Sequence, residues 1–245
     1  MNKFNSGKAS VKSRWLFIII ILCLLSWCIA WLIAYEPEHD EVEHWHVAWL
    51  MEQGQQPFKD FFEHHSPLLW NFLRIHYIIA GENFAIIPVS RALMIVIFGL
   101  TLYFAYRIAR HWTSPEGSWI ATVGFPAFSL SLLLAHLFVR GDPIILLFIM
   151  AALWLTVSLV EKKEWSRREF VRLFGIFFCL GVAFGLSPRA GIPSLTLFLI
   201  LAFFGFRILS FFRTFITFFA GGIIVLLPTL LLAIYYGFNE YIFWV

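Results

Sequence analysis

Charge is what this sequence has least of. Only 13% of its 245 residues are Asp, Glu, Lys or Arg, against 60% hydrophobic. Soluble domains carry about a quarter charged residues, so that class is excluded. A mean hydropathy of +0.81 agrees. Cysteine is scarcer still. Cys23, Cys28 and Cys179 all lie inside apolar runs, which excludes a disulfide framework or a cysteine zinc site and leaves buried thiols. No Gly-rich phosphate loop is present, so a soluble nucleotide donor is not indicated. The chain shows no internal repeat, no soluble domain and no feature that points to nucleic acid as a partner.

What the chain does have is apolar runs of membrane length. Residues 1–14 are polar and basic and read as a cytoplasmic tail. Trp15 to Tyr35 is about the ~20 residues that cross a bilayer. It is too long for a signal-peptide core and no cleavage site follows, so it reads as a retained span. Further spans are expected over 88–108, 118–138, 143–160, 173–186, 192–208 and 215–236. That makes about seven in an all-α, polytopic transmembrane bundle, a single module over 1–245. The stretch 173–186 is the shortest.

The scarce charge is not spread evenly. Residues 36–67 hold Glu36, Glu38, Asp40, Glu41, Glu43, Glu52, Asp60 and Glu63, and five of the eight histidines. Such groups are costly to bury, so this outer loop (36–84) reads as a reaction site. Within it, residues 40–53 predict a short interfacial helix stopped by Gly54, with Val42, Trp45 and Trp49 toward lipid and carboxylates toward water. Pro67 begins a second helical stretch, over 68–80. With the N-terminus inside, 13 of the 18 Lys and Arg fall on the cytoplasmic side, as the positive-inside rule requires. The acidic loop, the Arg140-Gly141-Asp142-Pro143 turn, the Ser187-Pro188-Arg189 turn and Asn239/Glu240 then share the outer face.

Each motif carries a plain reading beside a functional one. Asp40-Glu41 is a helix N-terminus favoured by the dipole, or a general base worth ~10²–10⁴ in rate. Asp142 is a helix N-cap followed by Pro, or it faces the same cavity as Asp40 together with Arg140. Arg189 snorkels to the interface, or meets a lipid-linked phosphate with bidentate geometry. Arg91 reads as structural. Glu63, His64 and His65, with His44 and Asp40, match no compact metal motif. Hydrogen bonding is their first reading, and a divalent cation such as zinc or manganese the minority one. His76, His111 and His136 read as satisfied polar residues. No cofactor is required by the pattern.

One set of motifs resembles a known family. The first span, Asp40-Glu41, and then Gly54-Gln55-Gln56-Pro57-Phe58-Lys59-Asp60-Phe61-Phe62-Glu63-His64-His65-Ser66-Pro67-Leu68 are similar to the first outer loop of GT-C membrane glycosyltransferases. The closest branch is dolichyl-phosphate-mannose–protein mannosyltransferase-like and includes bacterial aminoarabinose transferases. Arg91-Ala92-Leu93, Arg140-Gly141-Asp142 and Gly181 to Arg189 resemble later parts of the same family, with Arg189 where a lysine often stands. The resemblance implies inverting transfer of a sugar from a polyprenyl-phosphate donor, on the outer face of the membrane, to a lipid, glycan or protein acceptor. By that analogy Asp40 is the base and Glu41 its neighbour. Asp142 shapes the site and Arg189 meets the donor phosphate, with Lys59, His64, His65 and Arg140 as further substrate-binding candidates. A bacterial inner membrane is the expected location. Family members usually run longer, so the C-terminal part of the usual chain is expected to be absent. The alternatives are a membrane transporter or flippase and an inactive truncated partner protein.

Overall fold

The computed structural model describes residues 11–34, 36–124, 137–239 and 241. Among them the chain is helical throughout, with one isolated bridge between Pro57 and Phe61. In order come α1 (Val11–Ala34), α2 (His39–Glu52), α3 (Pro67–Ala80), α4 (Ile86–Ala109) and α5 (Pro115–Trp119), the last running into a π turn. Then follow α6 (Gly141–Val160), α7 (Arg167–Leu186), α8 (Gly191–Ile208) and α9 (Phe211–Tyr236).

Five helices are long and apolar enough to cross a membrane: α4, α6, α7, α8 with its leading 3₁₀ turn, and α9. A sixth span results if α1 and α2, bent by 64°, count as one. The seven expected spans therefore become five or six among the described residues. The predicted span over 118–138 falls mostly on residues 125–136, outside the described set, as do His136, Glu240 and the basic residues of the first ten positions. Of that span only α5 and the π turn are described.

The ends of the elements follow from local chemistry. Gly54, at φ +85°, takes the left-handed conformation that closes α2. Ser66 caps α3, its hydroxyl accepting from the Leu68 N–H, and Pro67 fills the first helical position. α7 begins six residues before the predicted 173, because Ser166 and Glu169 form a reciprocal capping box. The expected N-cap role of Asp142 is corrected: Arg140 holds that position and Asp142 lies in the first turn of α6.

The orientation expected for α2 is half right. Val42 is exposed, but Trp45 is buried and donates through Nε1 to Ser90 Oγ at 3.1 Å. It packs with Leu69, Trp70, Leu73, Met94 and Ile144 in the core cluster beneath the outer loop. A second cluster, around Leu159, Leu173, Phe177, Leu201 and Phe218, binds α6 to α9 deeper in the bundle. A third holds α1 against α4 through Cys28, Trp31 and Phe98. The three cysteines are free thiols, and Cys23, expected buried, is exposed. The far ends of α4 and α6 meet where His111 pairs with Glu161 at 3.1 Å.

Candidate active site

The opposite end of the bundle holds a cavity of about 290 Å³. α2 supplies Asp40 and His44, and the turn before α3 supplies His64, His65 and Ser66. The start of α6 supplies Arg140, Gly141 and Asp142, and the exit of α7 supplies Ser187, Pro188 and Arg189. Asp40, His64, His65, Arg140, Asp142 and Arg189, scattered over 150 positions of sequence, thus line one hollow.

Ion pairs order one wall. Arg140 Nη2 reaches Glu38 Oε2 at 2.6 Å and Asp40 Oδ2 at 2.9 Å, and its guanidinium lies over the Phe138 ring at 5.3 Å. Asp40 keeps half its side-chain surface exposed, so its carboxylate is held and still reachable. Asp142 is exposed beside the N-terminus of α6, where the helix dipole favours negative charge. Arg189, also in the lining, is exposed, and among the described residues no carboxylate pairs with its guanidinium. Its backbone N–H is tied to Ser187 Oγ at 3.3 Å.

The histidine wall is built around a buried carboxylate. Glu63 Oε1 accepts from the backbone N–H of His64 at 2.7 Å and meets His65 Nδ1 at 2.9 Å. Burial pushes the Glu63 carboxyl up, but the hydrogen bonds from His65 and the His64 backbone prevail and hold it below its ordinary value. The same bond to Glu63 raises His65. His44 goes the other way: burial, then the charge of His65, pulls it down to about 4, so it is neutral at pH 7. Ser66 Oγ donates to the Gly185 carbonyl and fastens this turn to α7.

Two expected site residues lie elsewhere. Glu41 is fully buried and does not line the cavity. Its Oε2 receives Arg91 Nη2 at 2.7 Å and the Glu38 N–H at 3.2 Å, while Oε1 accepts the Val139 N–H at 3.1 Å. Successive helical residues point about 100° apart, so Asp40 faces water and Glu41 the core. Glu41, expected beside Asp40 at the site, therefore lies in the core and outside the cavity lining. Lys59 is exposed and bonds Gln56 Oε1 at 3.1 Å, away from the cavity lining. The metal-capable group is also revised, with Glu43 standing where His44 was expected. Arg91, the organiser of this region, was read from sequence as structural. Its partner Glu41, 50 positions away, had no local signal.

The chain's fold is similar to that of the S. cerevisiae protein O-mannosyltransferase Pmt1–Pmt2 complex bound to the sugar donor. The TM-score is 0.65 at 16% sequence identity, over 96% of this chain and 35% of that chain. No family model and no curated protein matches the sequence. At that identity the likeness is one of fold. The chain is an all-helical, multi-pass membrane protein with a GT-C-like architecture, and it spans little more than a third of the chain it matches.

Proposed function

We propose that the chain is a glycosyltransferase, or the N-terminal module of one, that moves a sugar from a polyprenyl-phosphate donor to an acceptor at the outer face of the membrane. One observation carries the reading: a single cavity is lined by Asp40, Arg140, Asp142 and Arg189, and among the described residues no carboxylate pairs with the Arg189 guanidinium. The donor complex of the yeast fold relative is consistent with a lipid-linked sugar as ligand.

In this mechanism Asp40 accepts the proton of the acceptor hydroxyl as its oxygen attacks the anomeric carbon. The bond from that carbon to the phosphate oxygen breaks, and its electron pair leaves with the polyprenyl phosphate. Arg189 meets that growing charge with a planar, bidentate donor. With Asp40 as base and Arg189 at the departing phosphate, attack and departure occur on opposite faces of the sugar and the anomeric configuration inverts. Arg140 holds the Asp40 carboxylate in place and Asp142 borders the sugar.

The test is release of polyprenyl phosphate from a polyprenyl-phosphate-mannose donor by the full chain in proteoliposomes supplied with cell extract as acceptor source. Asp40→Asn is expected to lower release by at least ~10²-fold with unfolding temperature unchanged. Release at the wild-type rate by this variant overturns Asp40 as base.

A further inference from the structure

We propose that Glu43, Glu63, His64 and His65 bind one divalent transition-metal ion, with zinc the best fit to the ligand types. Glu43 comes from α2, and the other three from the turn before α3. One donor atom from each side chain lies within 4.8 Å of the donor atoms of the other three. A tetrahedral zinc site has bonds of about 2.0–2.1 Å and so ligand atoms roughly 3.4 Å apart, a contraction that side-chain torsions supply. The composition is selective. Calcium and magnesium take sets of oxygens, whereas imidazole mixed with carboxylate suits zinc and its neighbours. Two carboxylates also cancel the charge of the ion, leaving a neutral site in a partly buried place.

The arrangement is built, not merely crowded. Glu63 is 3% exposed, and the rings of His64 and His65 stand with centroids 4.0 Å apart. The Glu43 and Glu63 carboxylates come from two separate elements, yet their donor atoms are close enough for one ion to hold both. An independent sign comes from His44. It is 3% exposed, and its Nδ1 has no hydrogen-bond partner among the described residues. Its ring packs edge-on to His65 at 5.1 Å, and it lines the same cavity as His64 and His65. A buried ring nitrogen without a partner is what a water carried by a neighbouring ion would satisfy. The ion therefore sits at the cavity wall, stapling the outer turn to α2. The inference is independent of sugar transfer, and its test needs neither donor nor acceptor.

Tag-free full-length protein in detergent is stripped with EDTA, exchanged, and titrated with Zn²⁺ against a competing chromophoric chelator. One equivalent per chain is expected, together with a higher unfolding temperature in its presence. Glu43→Gln and His64→Asn, both at partly or fully exposed positions, are each expected to weaken binding at least ~10-fold and to abolish the thermal shift. His111→Asn, at the other end of the bundle, binds as the wild type does. Folding of the variants is checked by circular dichroism, so lost affinity is not mistaken for lost structure. Absence of a bound equivalent in the wild type, or wild-type affinity in both E43Q and H64N, overturns the site.

Discussion

Arg91 is 1% exposed on α4, and a cation within a span is costly without partners. Its compensation comes from three directions. Glu41 takes Nη2 at 2.7 Å, the Glu36 carbonyl takes it at 3.3 Å, and the Trp31 ring lies 4.5 Å below the guanidinium. Glu41 in turn accepts the Val139 N–H, so one ion pair ties the α1–α2 junction, α4 and the approach to α6. The cavity wall formed by Asp40 and Arg140 rests directly on it. Removing one partner leaves the other's charge buried without its counter-ion. Glu41→Gln or Arg91→Ala is expected to lower stability by ~3–5 kcal/mol. The double replacement Glu41→Leu with Arg91→Met is expected to cost less than either single change. Unfolding in detergent by chemical denaturant reads all three. At this scale the sequence was only half legible. A dense run of acids marked the region, but which of two adjacent carboxylates turns inward depends on a partner 50 positions away, and one chain carries no sign of that pairing. The same holds for Glu43 and His44: it is the donor atom of Glu43 that lies with those of Glu63, His64 and His65.

At the scale of elements, α7 and α9 are joined by close approach. A Cβ added at Gly181 would stand 2.9 Å from the Ile224 carbonyl oxygen and 3.1 Å from that of Val225. These are backbone atoms that cannot swing aside. Gly221 in α9 is also closely approached, in its case by the side-chain ring of Phe177. Small residues let helices in a membrane pack through dispersion where no hydrophobic drive separates protein from lipid. Gly181→Ala is therefore expected to destabilise the bundle by about 1–3 kcal/mol, the usual range for overpacking. Because α7 leads directly into Ser187 and Arg189, the substitution should also displace the Arg189 side chain at the cavity. Gly99→Ala in α4 is the contrast, since nothing lies within 4 Å of its added carbon. It is expected to leave stability unchanged or slightly raised. Thermal unfolding of the two variants side by side distinguishes packing from a general intolerance of alanine. Most helix ends were readable here, because Gly54, Ser66-Pro67 and Gly141-Asp142-Pro143 are local signals. The start of α7, expected at 173, lies instead at Arg167, behind the capping box of Ser166-Arg167-Arg168-Glu169. A hydropathy reading passes over it because three arginines precede the apolar run.

The whole molecule separates its charges along its length. The cavity end carries the acid- and histidine-rich loop, and the other end carries Arg107, Arg110, Lys162 and Lys163, close to the His111–Glu161 pair. Architecture was legible from sequence because span length and charge bias are imposed by the bilayer itself. The gathering of Asp40, Asp142 and Arg189 needed the three-dimensional packing of α2, α6 and α7. Which end faces the cytoplasm decides whether a lipid-linked donor outside the cell can reach the cavity. With Cys23, Cys28 and Cys179 replaced by alanine, a single cysteine at Lys59→Cys reports the cavity end and one at Lys162→Cys the basic end. Both positions are exposed. A membrane-impermeant maleimide applied to intact cells is expected to label the first, and the second only after permeabilisation. The inverse pattern would place the acidic cavity inside. It would break the positive-inside rule at every loop, and it would separate Asp40 from any donor presented at the outer leaflet.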